Sequence, residues 1–81
     1  MPTILNVDGY SIRIYFNDHL PSHVHVIKNN GECVINFIGK NGKPELREVE
    51  NLKTKEVRIA IKIVEEHQDK LIAEWKKIHG G

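Results

Sequence analysis

The chain is poor in most of the features that place a protein at a glance. Its 81 residues hold one cysteine, one methionine, one tryptophan and three prolines, and the net charge is only +1. A single Cys33 rules out an intramolecular disulfide. With no secretory leader in view, the expected setting is a reducing cytoplasm. No apolar run approaches the ~20 residues of a membrane-spanning helix, so no membrane partner is expected. Twelve basic residues against eleven acidic ones exert no general pull on nucleic acid, and contact with RNA would need a local basic patch. A chain 40% hydrophobic and 28% charged is not a disordered tail. It is one small domain, residues 1–81, near the lower size at which a core holds without staples.

What is present is turn chemistry. Asp8-Gly9 is a favoured two-residue turn of the primed type, set between Thr3–Val7 and Tyr10–Phe16. It places Val7 opposite Tyr10, Leu5 opposite Ile12 and Thr3 opposite Ile14. Leu5, Val7, Tyr10, Ile12 and Ile14 then share one face, and Ser11, Arg13 and Tyr15 the other. Asn30-Gly31 reads as a second such turn between His23–Lys28 and Glu32–Ile38, which sets Val26 against Ile35, His25 against Asn36 and His23 against Ile38. Asn41-Gly42 reads as a third, leading into Glu45–Val49, with Leu46 beside Phe37, Arg47 beside Asn36 and Val49 beside Val34.

From Thr54 to His79 the period changes. Val57, Ile61, Val64, Gln68, Leu71, Trp75 and Ile78 follow steps of four and three, an amphipathic helix, and Gly80-Gly81 reads as its stop. A continuous helix would be ~39 Å long, whereas a globule of this size is only ~30 Å across. The expected fold is therefore α+β: a four-stranded antiparallel sheet of hairpins over about residues 2–50, then a C-terminal helical segment over about 53–79. That segment is one overhanging helix or two consecutive ones, with the break expected around His67-Gln68-Asp69, packed on the more apolar face. The other face, with Ile27, Val34, Ile38 and Val49, is too apolar to leave to water, which predicts a homodimer or a small partner protein.

Chemistry concentrates in Asn17-Asp18-His19-Leu20-Pro21-Ser22-His23-Val24-His25-Val26, where three of the five histidines fall. Alternation puts His23 and His25 on one strand face, with Val24 and Val26 on the other. The registers above align His25, Asn36 and Arg47 across three strands, with His23 and Glu45 one step along. An imidazole beside a guanidinium is a proton shuttle next to a phosphate stabiliser, so His23, His25 and Arg47 are the candidate catalytic residues. Asp18, His19, Asn36 and Glu45 are candidate binding groups, as are Lys55 and Arg58 on one helix face. If these imidazoles are exposed, replacing either by Ala is expected to change stability little, roughly within ±0.5 kcal/mol.

No metal or other cofactor is favoured, since a metal would need three or four converging ligands. The alternative is a divalent transition metal on Asp18, His19, His23 and His25, since imidazole and carboxylate suit such ions. The order His-x-His, Glu32, Gly39 resembles the first metal motif of the cupins, but Glu32 falls beyond the Asn30-Gly31 turn and no second motif follows. His-Val-His-Val resembles the histidine-triad hydrolases, with Ile27 in place of the third alternating histidine. His67 and His79 read as incidental surface residues, Trp75 as packing and Cys33 as a buried thiol.

The chain as a whole resembles a small prokaryotic family, domain of unknown function 4160. The resemblance lies in Met1-Pro2-Thr3-Ile4, the Asn17–Val26 run, Glu45-Leu46-Arg47-Glu48, and the helix residues Lys55-Glu56-Val57-Arg58, Glu65-Glu66-His67, Leu71 and Trp75. Lys53 departs from it, where members often carry a Ser cap before Glu56. The resemblance implies a cytoplasmic protein with a partner, in some members a toxin–antitoxin-like one, and it brings no catalytic residues with it. The leading expectation is a component of such a module, acting by partner binding and, if catalytic, by metal-independent RNA cleavage. The alternatives are a non-enzymatic metal- or ligand-binding module and a pure interaction domain.

Overall fold

The computed structural model describes residues 3–15, 22–36 and 42–79. Five strands, β1 (Thr3–Val7), β2 (Tyr10–Arg13), β3 (His23–Lys28), β4 (Gly31–Asn36) and β5 (Glu45–Glu50), are followed by helices α1 (Thr54–Glu66) and α2 (Gln68–His79). The strands form one antiparallel sheet in sequence order, β1-β2-β3-β4-β5. The sheet thus has five strands, not four. β2 pairs on both sides, with β1 and with β3, so the first hairpin joins the others in one ladder, and β5, exposed along its whole length, still closes the far edge.

The first hairpin forms as its turn predicts. Asp8 and Gly9 both take positive φ (49° and 83°), and Val7 pairs with Tyr10 and Leu5 with Ile12. A bulge then shifts Thr3 onto Arg13 instead of Ile14. Lys28 ties this turn to the next hairpin: its Nζ donates to the Asp8 carbonyl at 3.1 Å and lies 4.7 Å from the Tyr10 ring centre.

The second hairpin turns one residue earlier than the Asn30-Gly31 signal suggests. Asn29, at φ 54°, and Asn30 form the loop, and Lys28 pairs with Gly31. Val26 therefore faces Cys33, not Ile35, and His25 faces Val34, not Asn36. The reason is tertiary. Gly31 is buried in β4 with the Asn51 carbonyl and the Leu52 side chain against its Cα, where a Cβ would collide with both. The glycine is needed for close approach, and Asn29, a residue that tolerates the left-handed region, takes the turn. Asn51 secures it by donating from Nδ2 to the Asn30 carbonyl at 3.2 Å.

The third pairing also shifts. Leu46 pairs with Ile35 and Glu45 with Asn36, then a bulge absorbs Arg47, and Glu48 and Val49 pair with Val34 and Cys33. Leu46 thus faces Ile35 where Phe37 was expected; Phe37, Ile38 and Asn41 themselves lie outside the described residues. The bulge moves Val49 to the side of the sheet that carries Cys33. The expected apolar face of Ile27, Val34, Ile38 and Val49 is thereby broken up, with Val34 buried and Ile27 half-buried.

The core is built where the pattern placed it. Tyr10, Ile12, Ile14, Val24, Val26, Cys33 and Ile35 of the sheet region pack with Ala60, Ile63 and Val64 of α1 and Leu71 and Trp75 of α2. Burying that much apolar surface is the main driving force for the fold. The helical segment breaks at His67, within the expected stretch, so that both pieces stay within a body of 33 × 29 × 19 Å. His67 caps α1 by donating from Nδ1 to the Ile63 carbonyl at 2.9 Å. Gln68 Nε2 donates to the Gly42 carbonyl at 2.9 Å and ties α2 to the approach to β5. At the start of α1, Glu56 accepts from the Lys53 backbone N–H at 2.9 Å. Lys53, whose ammonium only donates, offers no acceptor to the first-turn amides, so half of a capping box forms. Among the described residues, no helix is long and apolar enough to cross a membrane.

Candidate functional site

Strand alternation on β3 works as expected for the histidines. Their ring centres lie 5.3 Å apart, edge to face, with Val24 and Val26 in the core. The two imidazoles nonetheless sit in different surroundings. His23 is only 6% exposed. Its ring packs 5.6 Å from Trp75 of α2, which in turn lies 4.1 Å from His79. Arg47 Nη1 reaches His23 Nδ1 at 3.2 Å. A guanidinium has no acceptor, so Nδ1 accepts and the ring N–H is on Nε2. His23 is therefore as much a packing residue as a polar one. The expectation that its removal would leave stability unchanged is corrected by this burial.

His25 is half-buried, 4.4 Å from the Tyr15 ring. Its Nδ1 meets Glu32 Oε2 at 2.9 Å. The carboxylate accepts, which fixes the orientation of the ring. Glu32 pairs with Ile27 directly across β3 and β4, one register step from His25. Its exclusion from the site rested on the Asn30-Gly31 turn, and the actual turn puts it within reach.

These groups border an open cleft of about 470 Å³ lined by His25, Glu32, Val34, Glu48, Val49 and Glu50. The register corrections redistribute the other candidates. Asn36 lies opposite His23, not His25, and next to Glu45. Arg47, the extra residue of the bulge, goes to His23. Asn36 Oδ1 and His79 Nε2 are buried without a hydrogen-bond partner among the described residues. Lys55 and Arg58 are exposed on α1, outside the cleft lining. Asp18 and His19 lie outside the described residues, and among those described no three His, Cys, Asp or Glu side chains gather as metal ligands. Glu48, Glu50 and His79 were not anticipated. The alternation of Glu48 and Glu50 along one strand was the available signal, but it reads equally as an exposed polar edge.

Cys33 is a buried free thiol, pushed up to about 11 by burial and then by the neighbouring charge of Glu32. It is a core group, not a nucleophile.

Fold and site together define a small α+β domain whose antiparallel sheet carries a histidine–carboxylate pair in an acidic cleft. Residues 9–76 match the family model described as a domain of unknown function (DUF4160), and the chain belongs to that family. No curated protein and no solved structure matches the chain.

Proposed function

We propose that the protein is the binding component of a toxin–antitoxin-like module, and that its cleft takes a positively charged side chain of a partner protein. The observation that carries this reading is the lining. Glu32, Glu48 and Glu50 surround a half-buried His25 that is itself oriented by Glu32. Three carboxylates favour a guanidinium or ammonium and oppose a phosphate. The cationic group once expected to meet a phosphate, Arg47, is engaged with His23 beyond the cleft lining.

A second reading, RNA cleavage without a metal, draws on the His25–Glu32 pair, since a carboxylate on Nδ1–H holds an imidazole, the commonest general base, in one orientation. Fluorescence anisotropy with a labelled oligo-arginine peptide and an oligo-uridylate RNA separates the two. Binding of the peptide, reduced by salt and lost in the Glu32→Gln/Glu48→Gln/Glu50→Gln variant, supports partner binding. RNA cleavage that disappears in His25→Ala, with no peptide binding, overturns it in favour of the second reading.

A further inference from the structure

We propose that β5 is the seam of a homodimer, in which two copies pair their edge strands antiparallel and extend the sheet from five strands to ten. The seam shares Glu48, Val49 and Glu50 with the cleft lining, but the argument for it does not use the cleft's ligand. β5 is one of the sheet's two edges, all six of its residues are exposed, and it carries both large exposed apolar residues of the described chain, Leu46 (39%) and Val49 (48%). An edge strand presents an outward row of backbone N–H and C=O groups that can accept another strand.

The sequence Glu45-Leu46-Arg47-Glu48-Val49-Glu50 is complementary to itself about a point between Arg47 and Glu48. A two-fold axis there, normal to the sheet, sets Leu46 against the partner's Val49 and Arg47 against the partner's Glu48, each contact made twice as an isologous interface requires. In a regular strand this register fails, because residues three apart point to opposite faces. The bulge removes the obstacle. With Arg47 as the extra residue, Leu46 pairs with Ile35 and Val49 with Cys33, so both lie on the face that carries the core. Arg47 reaches His23, and Glu48 pairs with Val34, on the other face. Apolar residues then meet apolar ones on one side of the seam and opposite charges meet on the other, both favourable cross-strand pairs.

A bulge and a row of charges on an edge ordinarily deter pairing, and the register has one cost, Glu45 against the partner's Glu50. Those like charges fall at the open ends of the seam, where water and salt screen them. The self-complementary centre outweighs them. The dimer would bring the two clefts side by side on one face, because Glu48, on the His25 side of the sheet, lines the cleft and borders the axis.

The test is a charge swap read by sedimentation equilibrium, with circular dichroism confirming the fold. Wild-type protein is expected to dimerise. Arg47→Glu alone and Glu48→Arg alone each set like charges across both central pairs, and each should weaken the dimer about ten-fold or more. An equimolar mixture of the two variants restores both pairs and should recover the wild-type mass, as should the double variant. Val49→Lys, at a half-exposed position, puts a charge against the partner's Leu46 and should give a monomer should Arg47→Glu fail to fold. A monomeric wild type, single variants that stay dimeric, or a mixture that does not recover each overturn the proposal.

Discussion

Replacing His23 by Ala is the sharpest probe of how this site is built, because the two histidines of one strand face are expected to respond differently. His23 is 6% exposed, packs 5.6 Å from Trp75 and 5.3 Å from His25, and accepts from Arg47 at 3.2 Å. Its truncation removes a buried ring, leaves a cavity beside Trp75 and takes away the acceptor for Arg47. A ring–ring contact contributes about 0.5–1.5 kcal/mol, a hydrogen bond from a solvent-screened guanidinium about 0.5–1.5, and the cavity adds to both. The contact to exposed Arg47 belongs at the low end of its range, so the loss comes to about 2–3 kcal/mol. In a domain this small it corresponds to a melting temperature lower by roughly 10–20 °C. His25, with 15% of its side chain exposed and a Glu32 partner 43% exposed, should lose only about 1 kcal/mol on replacement by Ala. Urea titrations followed by circular dichroism, compared at equal slope, measure both. A His23→Ala protein within about 0.5 kcal/mol of wild type, or a larger loss at His25, would refute the assignment of His23 as the packed member of the pair.

Three further outcomes follow from the packing. Gly31→Ala drives a methyl into the Asn51 carbonyl and Leu52; it should destabilise the domain by about 1–3 kcal/mol, measured by the same titration, and a neutral effect would mean that the β4–Leu52 approach is looser than described. Stability should fall as pH rises from 9 towards 11, because the unfolded Cys33 thiol ionises while the folded one, raised to about 11, stays protonated. Buried Tyr10, raised by desolvation and then by Glu56, Cys33 and Asp8, acts in the same direction, so melts of Cys33→Ala should show a shallower decline over that window but not a flat one. Lys53→Ser completes the capping box that Glu56 half-forms and should raise stability by about 0.5–1 kcal/mol, read as a higher urea midpoint.

The sequence by itself determined the order of strands before helices and the faces of β2 and β3. Period-two alternation on β2 and β3 assigned Tyr10, Ile12, Ile14, Val24 and Val26 to the core, and His23 and His25 to the other side, because a strand side chain has only two directions to point. The step of four and three located the helices, and the length of chain against the size of the globule left a break or an overhang, of which the structure takes the break, at His67. The family, too, was legible in the sequence.

Register was a different matter. Asn29-Asn30-Gly31 offers more than one turn with similar local energies, and the choice was made by Asn51 and Leu52, twenty residues away, which press on Gly31. That slip kept every residue of β3 and β4 on its expected face, since it changed the pairing by two positions, but it exchanged partners, giving Glu32 to His25 and Asn36 to His23. The bulge at Arg47 then changed faces as well, carrying Val49 over to the side of Cys33. A bulge leaves no mark in the alternation of Leu46, Arg47, Glu48 and Val49 that distinguishes it from a straight exposed strand. Local sequence sets which way a side chain points, and contacts between distant segments set what it points at. The candidate site, made of cross-strand neighbours, was therefore decided by the tertiary structure.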